Sequence, residues 1–313
     1  MIEKDQFIDY CVENCFSNPA IEEYISLFKY NKDIKLPDGS LVFEINDREL
    51  KILKYTNGVD QLRLNSFLKL LDKTISKYNL NLNFKFILNT RDEDIDCVFP
   101  AFQFSRNTED SKNILIPDPH LLDRYLGNTE CNDSLFKDKI NKCIFRGSDT
   151  GKYPNALANS RIYACNKFKN SKTHDFKISN FISFNKEILE YYDIDINNIS
   201  GEYLSPKDQL KYKYIADMDG NTIAWDRNCW ALPSNSILIK YQFSDYSEYE
   251  TWYSKYMYEN SIVPRLKFHE DLSQINLDNL LEKQKNFAKT FLDEWIVVEY
   301  FKNVLDKYKI YYA

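Results

Sequence analysis

Histidine is scarce in this chain of 313 residues, with only His120, His174 and His269, widely separated. Three scattered imidazoles leave little material for a histidine-rich metal centre or a Ser-His-Asp triad, and each is read as structural. The seven cysteines form no C-x-x-C pair, and Cys11 and Cys15, four apart, fall on one face of a helix. Reduced, buried thiols are expected rather than disulfides or zinc. Nowhere do eighteen apolar residues run together, and the charged start Met1-Ile-Glu-Lys-Asp-Gln6 leads into no apolar core of signal-peptide length. A cytoplasmic protein without a transmembrane segment is expected. Repeats, low-complexity tracts and Gly/Ser linkers are also missing. Positive charge is not in excess. The 41 Lys and Arg against 47 Asp and Glu give a net charge of −6, which disfavours a general binder of nucleic acid or anionic membrane. Any polyanion would have to bind locally.

What the chain does have is apolar bulk, 43% hydrophobic with 23 Tyr and 21 Phe, enough for a globular protein of two ordinary domains with a cleft. Its most informative stretch is Cys143-Ile-Phe-Arg-Gly-Ser-Asp-Thr-Gly151, followed by Asn155-Ala-Leu-Ala-Asn-Ser-Arg-Ile-Tyr-Ala-Cys165. An apolar run, a polar glycine turn and a helical stripe at Leu157, Ile162 and Cys165 describe strand, turn and helix. In α/β proteins this is how an anion site is built, from turn amides and a helix N-terminus above the strand's carboxyl end. Arg146, Ser148 and Arg161 would suit a phosphate or pyrophosphate. The same residues equally suit an ordinary turn with solvated arginines. The stretch is neither a Walker A loop, being one residue short between glycines with Tyr153 where Ser or Thr must hold magnesium, nor a G-x-S-x-G elbow.

Taken in order, residues 1 to 30 have helical spacing broken at Ser17-Asn-Pro19. Leu41–Ile45 and Leu50–Tyr55 read as a hairpin, Leu64 to Tyr78 as an amphipathic helix, and Phe84–Leu88 as a strand. Past that strand lie Asn89-Thr-Arg-Asp-Glu-Asp94, whose carboxylates can act as a base, coordinate a cation or face solvent, and then a proline-rich loop to 120. Tyr191 to Leu204 lacks the glycine and the glutamate of a calcium loop. Two strands flank a short helix starting near Asp226, placing Arg227 at a second helix N-terminus. Residues 247 to 260 read as an aromatic helix, and Leu277 opens a helical tract running nearly to the end.

Several of these stretches together resemble glycosyltransferase family 90, the lipopolysaccharide- and capsule-modifying enzymes related to protein O-glucosyltransferases. The residues concerned are Asn89-Thr-Arg-Asp92, Phe102-Gln-Phe-Ser-Arg106, Ile116-Pro-Asp-Pro119, Phe145-Arg-Gly-Ser148, Thr150-Gly151, Arg161, Tyr212-Lys-Tyr214, Asp219-Gly-Asn221, Arg227, Ser236-Ile-Leu-Ile-Lys240 and Val263-Pro264, in the family's order over residues 84 to 272. The chain departs from the family at Asn235 and at Trp225-Asp226. The resemblance implies an α/β GT-B fold, two Rossmann-like domains facing across a cleft, with the C-terminal helix crossing back to the first. The expected boundaries are 1–138 plus 287–313 for the acceptor-side domain and 139–286 for the nucleotide-sugar domain. It also implies inverting transfer of glucose or xylose from a UDP-sugar without a metal or other cofactor. Asp92 would be the general base, and Arg146, Gly147, Ser148, Arg161 and Arg227 would hold the donor diphosphate. With no secretory segment in view, the expected acceptor is a cytoplasmic glycan or glycolipid precursor, with peripheral membrane contact allowed and no nucleic-acid partner.

Two other readings stand beside this one. Asp217-Met-Asp219 has the spacing of a D-x-D motif that holds manganese against a diphosphate, though Asp219-Gly220 also makes an ordinary turn. The chain could instead keep the fold as a catalytically silent sugar- or nucleotide-binding protein. Should Asp92 not be the base, Glu93 and Asp94 are next.

Overall fold

The computed structural model describes residues 3–31, 34–92, 95, 97–108, 111–118, 121, 133–151, 153, 155–243 and 249–313. In chain order its elements are α1 (Lys4–Cys15), α2 (Ile21–Phe28), β1 (Ser40–Asp47), β2 (Glu49–Tyr55), α3 (Gln61–Tyr78), β3 (Leu82–Asn89), β4 (Ala101–Gln103), β5 (Arg106–Asn107) and β6 (Ile114–Leu115). There follow β7 (Ile140–Ser148), α4 (Ser160–Lys167), β8 (His174–Asn180), α5 (Lys186–Tyr191), α6 (Ile196–Ile199), α7 (Pro206–Gln209), β9 (Tyr212–Asp217), α8 (Trp225–Ala231) and β10 (Ile237–Gln242). The chain ends with β11 (Tyr249–Glu250), α9 (Ser254–Glu259), β12 (Arg265–Lys267), α10 (Leu280–Phe291) and α11 (Glu294–Tyr312). It divides into two compact units, one of Met1–Leu126, Glu248–Tyr256 and Thr290–Ala313, the other of Gly127–Ser247 and Met257–Lys289. Both are α/β, with sheets containing parallel strands compatible with a Rossmann-like fold. No helix among the described residues is long and apolar enough to cross a membrane.

The first unit is built on a mixed sheet of order β2-β1-β3-β4-β6. β1 and β2 pair antiparallel as a hairpin that reverses at Asp47-Arg48, with Asp47 in the left-handed region at φ 57°. β4 runs parallel to β3, and β6 parallel to β4, so part of the proline-rich run expected to be loop is strand. Phe43, Phe86 and Phe102 stack across β1, β3 and β4 at 5.1 and 5.3 Å between ring centroids. Phe67 of α3 and Phe301 of α11 close on this ladder from the helical side. Much of the aromatic excess is therefore core. The terminal tract is two helices, because Asp293 caps α11 by accepting the Ile296 amide at 3.0 Å. The stretch expected as a helix from 247 contains β11, whose Glu250 holds the buried Arg106 of β5 at 2.8 Å. Arg106 also donates to the carbonyls of Asn14, Cys15 and Asn113 at 2.7–2.9 Å, which binds the end of α1 to this small ribbon.

The second unit carries a five-stranded sheet, β12-β10-β9-β7-β8, parallel throughout. Counted along the chain within the unit, this is the order 2-1-3-4-5 read from the β8 edge, which reverses between β7 and β9. Alternation along β7 sends Cys143 and Phe145 into a core shared with Phe176, Ile178, Ile239 and Tyr241. The helix expected from Asn155 begins at Ser160 instead, and Leu157 of the supposed apolar stripe is half exposed. Six cysteines, Cys11, Cys15, Cys97, Cys143, Cys165 and Cys229, are free and buried.

His174 lies in this core as a structural residue, stacked on Phe168 at 4.0 Å. Its Nδ1 meets the hydroxyls of Ser171 and Thr173 at 3.1 and 3.0 Å, and its Nε2 the phenol of Tyr241 at 2.9 Å. Burial lowers its pKa from 6.5 to about 4, only partly opposed by Asp271. The folded state therefore keeps the imidazole neutral where the unfolded chain would already have taken a proton, so this contribution to stability is lost as pH falls from 6.5 towards 4. In urea unfolding at pH 7, 5.5 and 4, the stability gap between wild type and His174→Gln is expected to shrink stepwise. A gap independent of pH would show that His174 is not held neutral.

Candidate anion site at the end of the parallel sheet

The reversal between β7 and β9 is where a doubly wound sheet opens a crevice beyond its carboxyl ends. Carbonyls at or just past the ends of both strands are answered by two arginines. Arg161, in the first turn of α4, donates from Nη1 to Ser148 O at 3.1 Å and from Nη2 to Met218 O at 3.1 Å. Arg227 of α8 donates from Nη1 to Ala216 O at 2.6 Å and from Nη2 to Arg146 O at 2.8 Å. Each guanidinium thus bridges the end of β7 to the end of β9. Both also lie over the ring of Phe145, with Cζ 4.8 Å from the centroid for Arg227 and 5.7 Å for Arg161.

Among the described residues neither arginine has a carboxylate within 4 Å. Burial, and next the like charge of Arg227, lower the Arg161 pKa to about 10, while Asp219 and Asp217 act in the opposite direction. Arg227 is likewise lowered, chiefly by burial. Both remain charged at neutral pH. Two half-buried cations beside one aromatic ring therefore repel each other, and an anion bound to both would relieve that repulsion.

Small residues allow this packing. A Cβ at Gly220 would come within 2.7 Å of Arg161 Nη2, and within 3.0 Å of its Cζ and of Thr150 Oγ1. At Gly147 a Cβ would meet the Phe145 ring at 2.9 Å. Thr150 Oγ1 accepts from Arg161 Nη1 at 2.8 Å and shares a hydrogen bond with Ser148 Oγ at 3.1 Å. Two hydroxyls therefore edge the guanidinium pair.

The turn itself is used structurally. Asp149 is fully buried and its carboxylate accepts the amides of Ile182, Ser183 and Phe184 at 2.7–3.2 Å, fixing the loop after β8. Asn159 caps α4 by accepting the amides of Arg161 and Ile162 at 3.1 and 3.0 Å. Those two amides are consequently taken by the chain's own side chain, and the site presents guanidinium and hydroxyl groups rather than an open helix end.

Of the residues singled out in the sequence, Ser148, Arg161 and Arg227 are brought together and Gly147 lies beside them. Arg146 is placed elsewhere. Its side chain points to the other face of β7, where it pairs with Asp175 of β8 at 2.9 Å, and only its carbonyl reaches the site. Asp92 belongs to the first unit, directly after β3, where it is paired with Arg63 at 2.6 Å. Glu93 and Asp94 lie outside the described residues. Phe145, Thr150 and Gly220 stood in the sequence only as motif or turn residues and not as part of the anion site, because side-chain packing between a turn, a later turn and a helix leaves no periodic signal.

The D-x-D pair is occupied. Lys240 of β10, fully buried, places its ammonium 3.2 Å from Asp217 Oδ2 and in a short contact with Asp219 Oδ1. Burial works against the charged lysine, but Asp217 and Asp219 outweigh it and raise the Lys240 pKa above its ordinary value. A cation bound between these carboxylates would have to displace the ammonium. Among the described residues no cluster of three or more His, Cys, Asp or Glu could hold a metal ion.

Lys240→Met is expected to lower stability by about 3–5 kcal/mol in urea unfolding, since it strands two carboxylates beside a buried core. Gly220→Ala is expected to behave differently. The clash falls on the far end of a flexible arginine, so stability should change little while affinity for pyrophosphate drops about ten- to a hundredfold, the worth of a charged hydrogen bond. Unchanged pyrophosphate affinity by calorimetry would remove Arg161 from the anion site.

In comparisons with known proteins, no protein-family model matches the chain and no curated protein matches it.

Proposed function

We propose that the protein is an inverting, metal-independent glycosyltransferase of GT-B type. It moves a hexose or pentose, glucose or xylose first, from a UDP-sugar to a hydroxyl of a surface-glycan precursor. The observation that carries the reading is the pair of arginines, Arg161 and Arg227, lying on Phe145 at the switch point with no carboxylate within 4 Å among the described residues. Such a pair suits the diphosphate of a nucleotide sugar, which carries its charge on oxyanions a few ångströms apart. Ser148 and Thr150 add hydroxyls at the same place. The likeness of Asn89-Thr-Arg-Asp92 to the family 90 motif supports Asp92 as the base.

In this reading the acceptor oxygen attacks the anomeric carbon from the face opposite the leaving group, and its proton passes to the Asp92 carboxylate. The bond from the anomeric carbon to the diphosphate oxygen breaks, and its electron pair leaves with UDP, whose growing charge Arg161 and Arg227 stabilise. The grip of Lys240 on Asp217 and Asp219 weighs against the manganese-dependent alternative.

Thermal unfolding with UDP and with GDP, each in EDTA and in manganese, tests the reading. UDP at about a hundred times its Kd should stabilise the wild type by roughly 2.7 kcal/mol in EDTA. Arg227→Ala, compared with its own ligand-free baseline, should show no shift. A shift confined to manganese would favour the D-x-D reading, and no shift with either nucleotide would remove the nucleotide site.

A further inference from the structure

The first unit contains an ion pair whose acceptor is the carboxylate assigned to base catalysis. Arg63 stands in the first turn of α3, where Asp60 caps the helix by accepting the amides of Leu62 and Arg63 at 3.0 and 3.1 Å. From there its guanidinium reaches the segment after β3. Nη2 lies 2.6 Å from Asp92 Oδ1, Nη1 donates to Thr90 O at 2.9 Å, and Nε is 3.5 Å from Asp60 Oδ2. Thr90 is itself fixed, because its hydroxyl donates to Gly39 O at 2.8 Å and accepts from the Asp60 amide at 3.0 Å. The carboxylate is held through one oxygen only. Asp92 Oδ2 has no hydrogen bond among the described residues, and the Asp92 side chain keeps 31% of its surface exposed.

We infer that Arg63 is the positioning residue of the base, an inference that rests on the glycosyltransferase reading. A half-exposed aspartate turns freely about two side-chain bonds, whereas a base must meet the acceptor hydroxyl at hydrogen-bond distance in one orientation. A charge-assisted bond to Oδ1 selects that orientation and leaves Oδ2 to take the proton. The N-cap of α3 gives Arg63 a rigid base, so the orientation of Asp92 is set by a helix rather than by its own loop. The pair is half-buried, and Arg63 also ties Thr90 O and Asp60, so its part in catalysis is read from kcat against KM and from the double variant rather than from stability.

The test uses the full chain with UDP-glucose and UDP-xylose, water serving as acceptor, and follows UDP release. Arg63→Met is expected to lower kcat about ten- to a hundredfold with the donor KM unchanged, and Arg63→Lys to recover part of the loss. Combined with Asp92→Asn, Arg63→Met should add no further loss, since it acts through the same carboxylate. Wild-type kcat in Arg63→Met, or a full additional loss in the double variant, would overturn the role of Arg63 and leave the glycosyltransferase reading intact. No UDP release by the wild type from either donor would overturn that reading and this inference with it.

Discussion

Like charge held together, with no carboxylate within 4 Å of either guanidinium among the described residues, is the constraint on which the second unit turns. The carbonyls at the ends of β7 and β9 need donors, and Arg161 and Arg227 supply them from the helices that follow each strand. Bringing both guanidiniums to the same reversal point dictates the surroundings. Phe145 must offer a flat face, Gly147 must leave room for that ring, and Gly220 must have no side chain where Arg161 lies. Lys240 holds Asp217 and Asp219 to itself, so those carboxylates do not pair directly with the arginines. Asp149, at the end of β7, gives its carboxylate to the amides of Ile182, Ser183 and Phe184, so the two guanidiniums are left to meet a ligand.

The first unit solves a different problem with the same economy of means. Its sheet is mixed, and its core is a ladder of phenylalanines from neighbouring strands covered by Phe67 and Phe301. Rigidity at the end of β3 comes from short polar links between Gly39, Asp60, Arg63 and Thr90, each joining a turn to a regular element. Asp92 is thus held by a framework assembled from three separate stretches of chain.

How far this was legible in the sequence depended on the kind of signal. Elements with a period were clear. The stripe from Leu64 to Tyr78 is α3, the hairpin over Leu41–Tyr55 is β1 and β2, and Asp226 does lie in the first turn of a short helix. Elements decided by one polar side chain were not. With Asn159 as its cap, α4 starts five residues later than the sequence implied, and Asp293 splits the terminal tract in two. β11 was hidden because its identity rests on Glu250 meeting Arg106, 144 residues away. At the site, Ser148, Arg161 and Arg227 could be picked out because arginine and serine beside glycine turns are chemically conspicuous. Arg146 looks the same in sequence, yet strand alternation turns it to Asp175. Residue type named the candidates, and the pairing of Arg146 with Asp175 set it apart from the others.

The division of the chain has a consequence for how the protein is made. Every residue of the second unit has been synthesised once residue 289 is added, whereas the first unit still waits for Thr290–Ala313. Those last residues bring α11, and with it Phe301, Tyr300 and Tyr308, which cover the phenylalanine ladder and seal β3 and β6. The half synthesised first is therefore the half finished last. Through most of translation its apolar face lacks this cover, a state in which nascent chains aggregate or are held by chaperones.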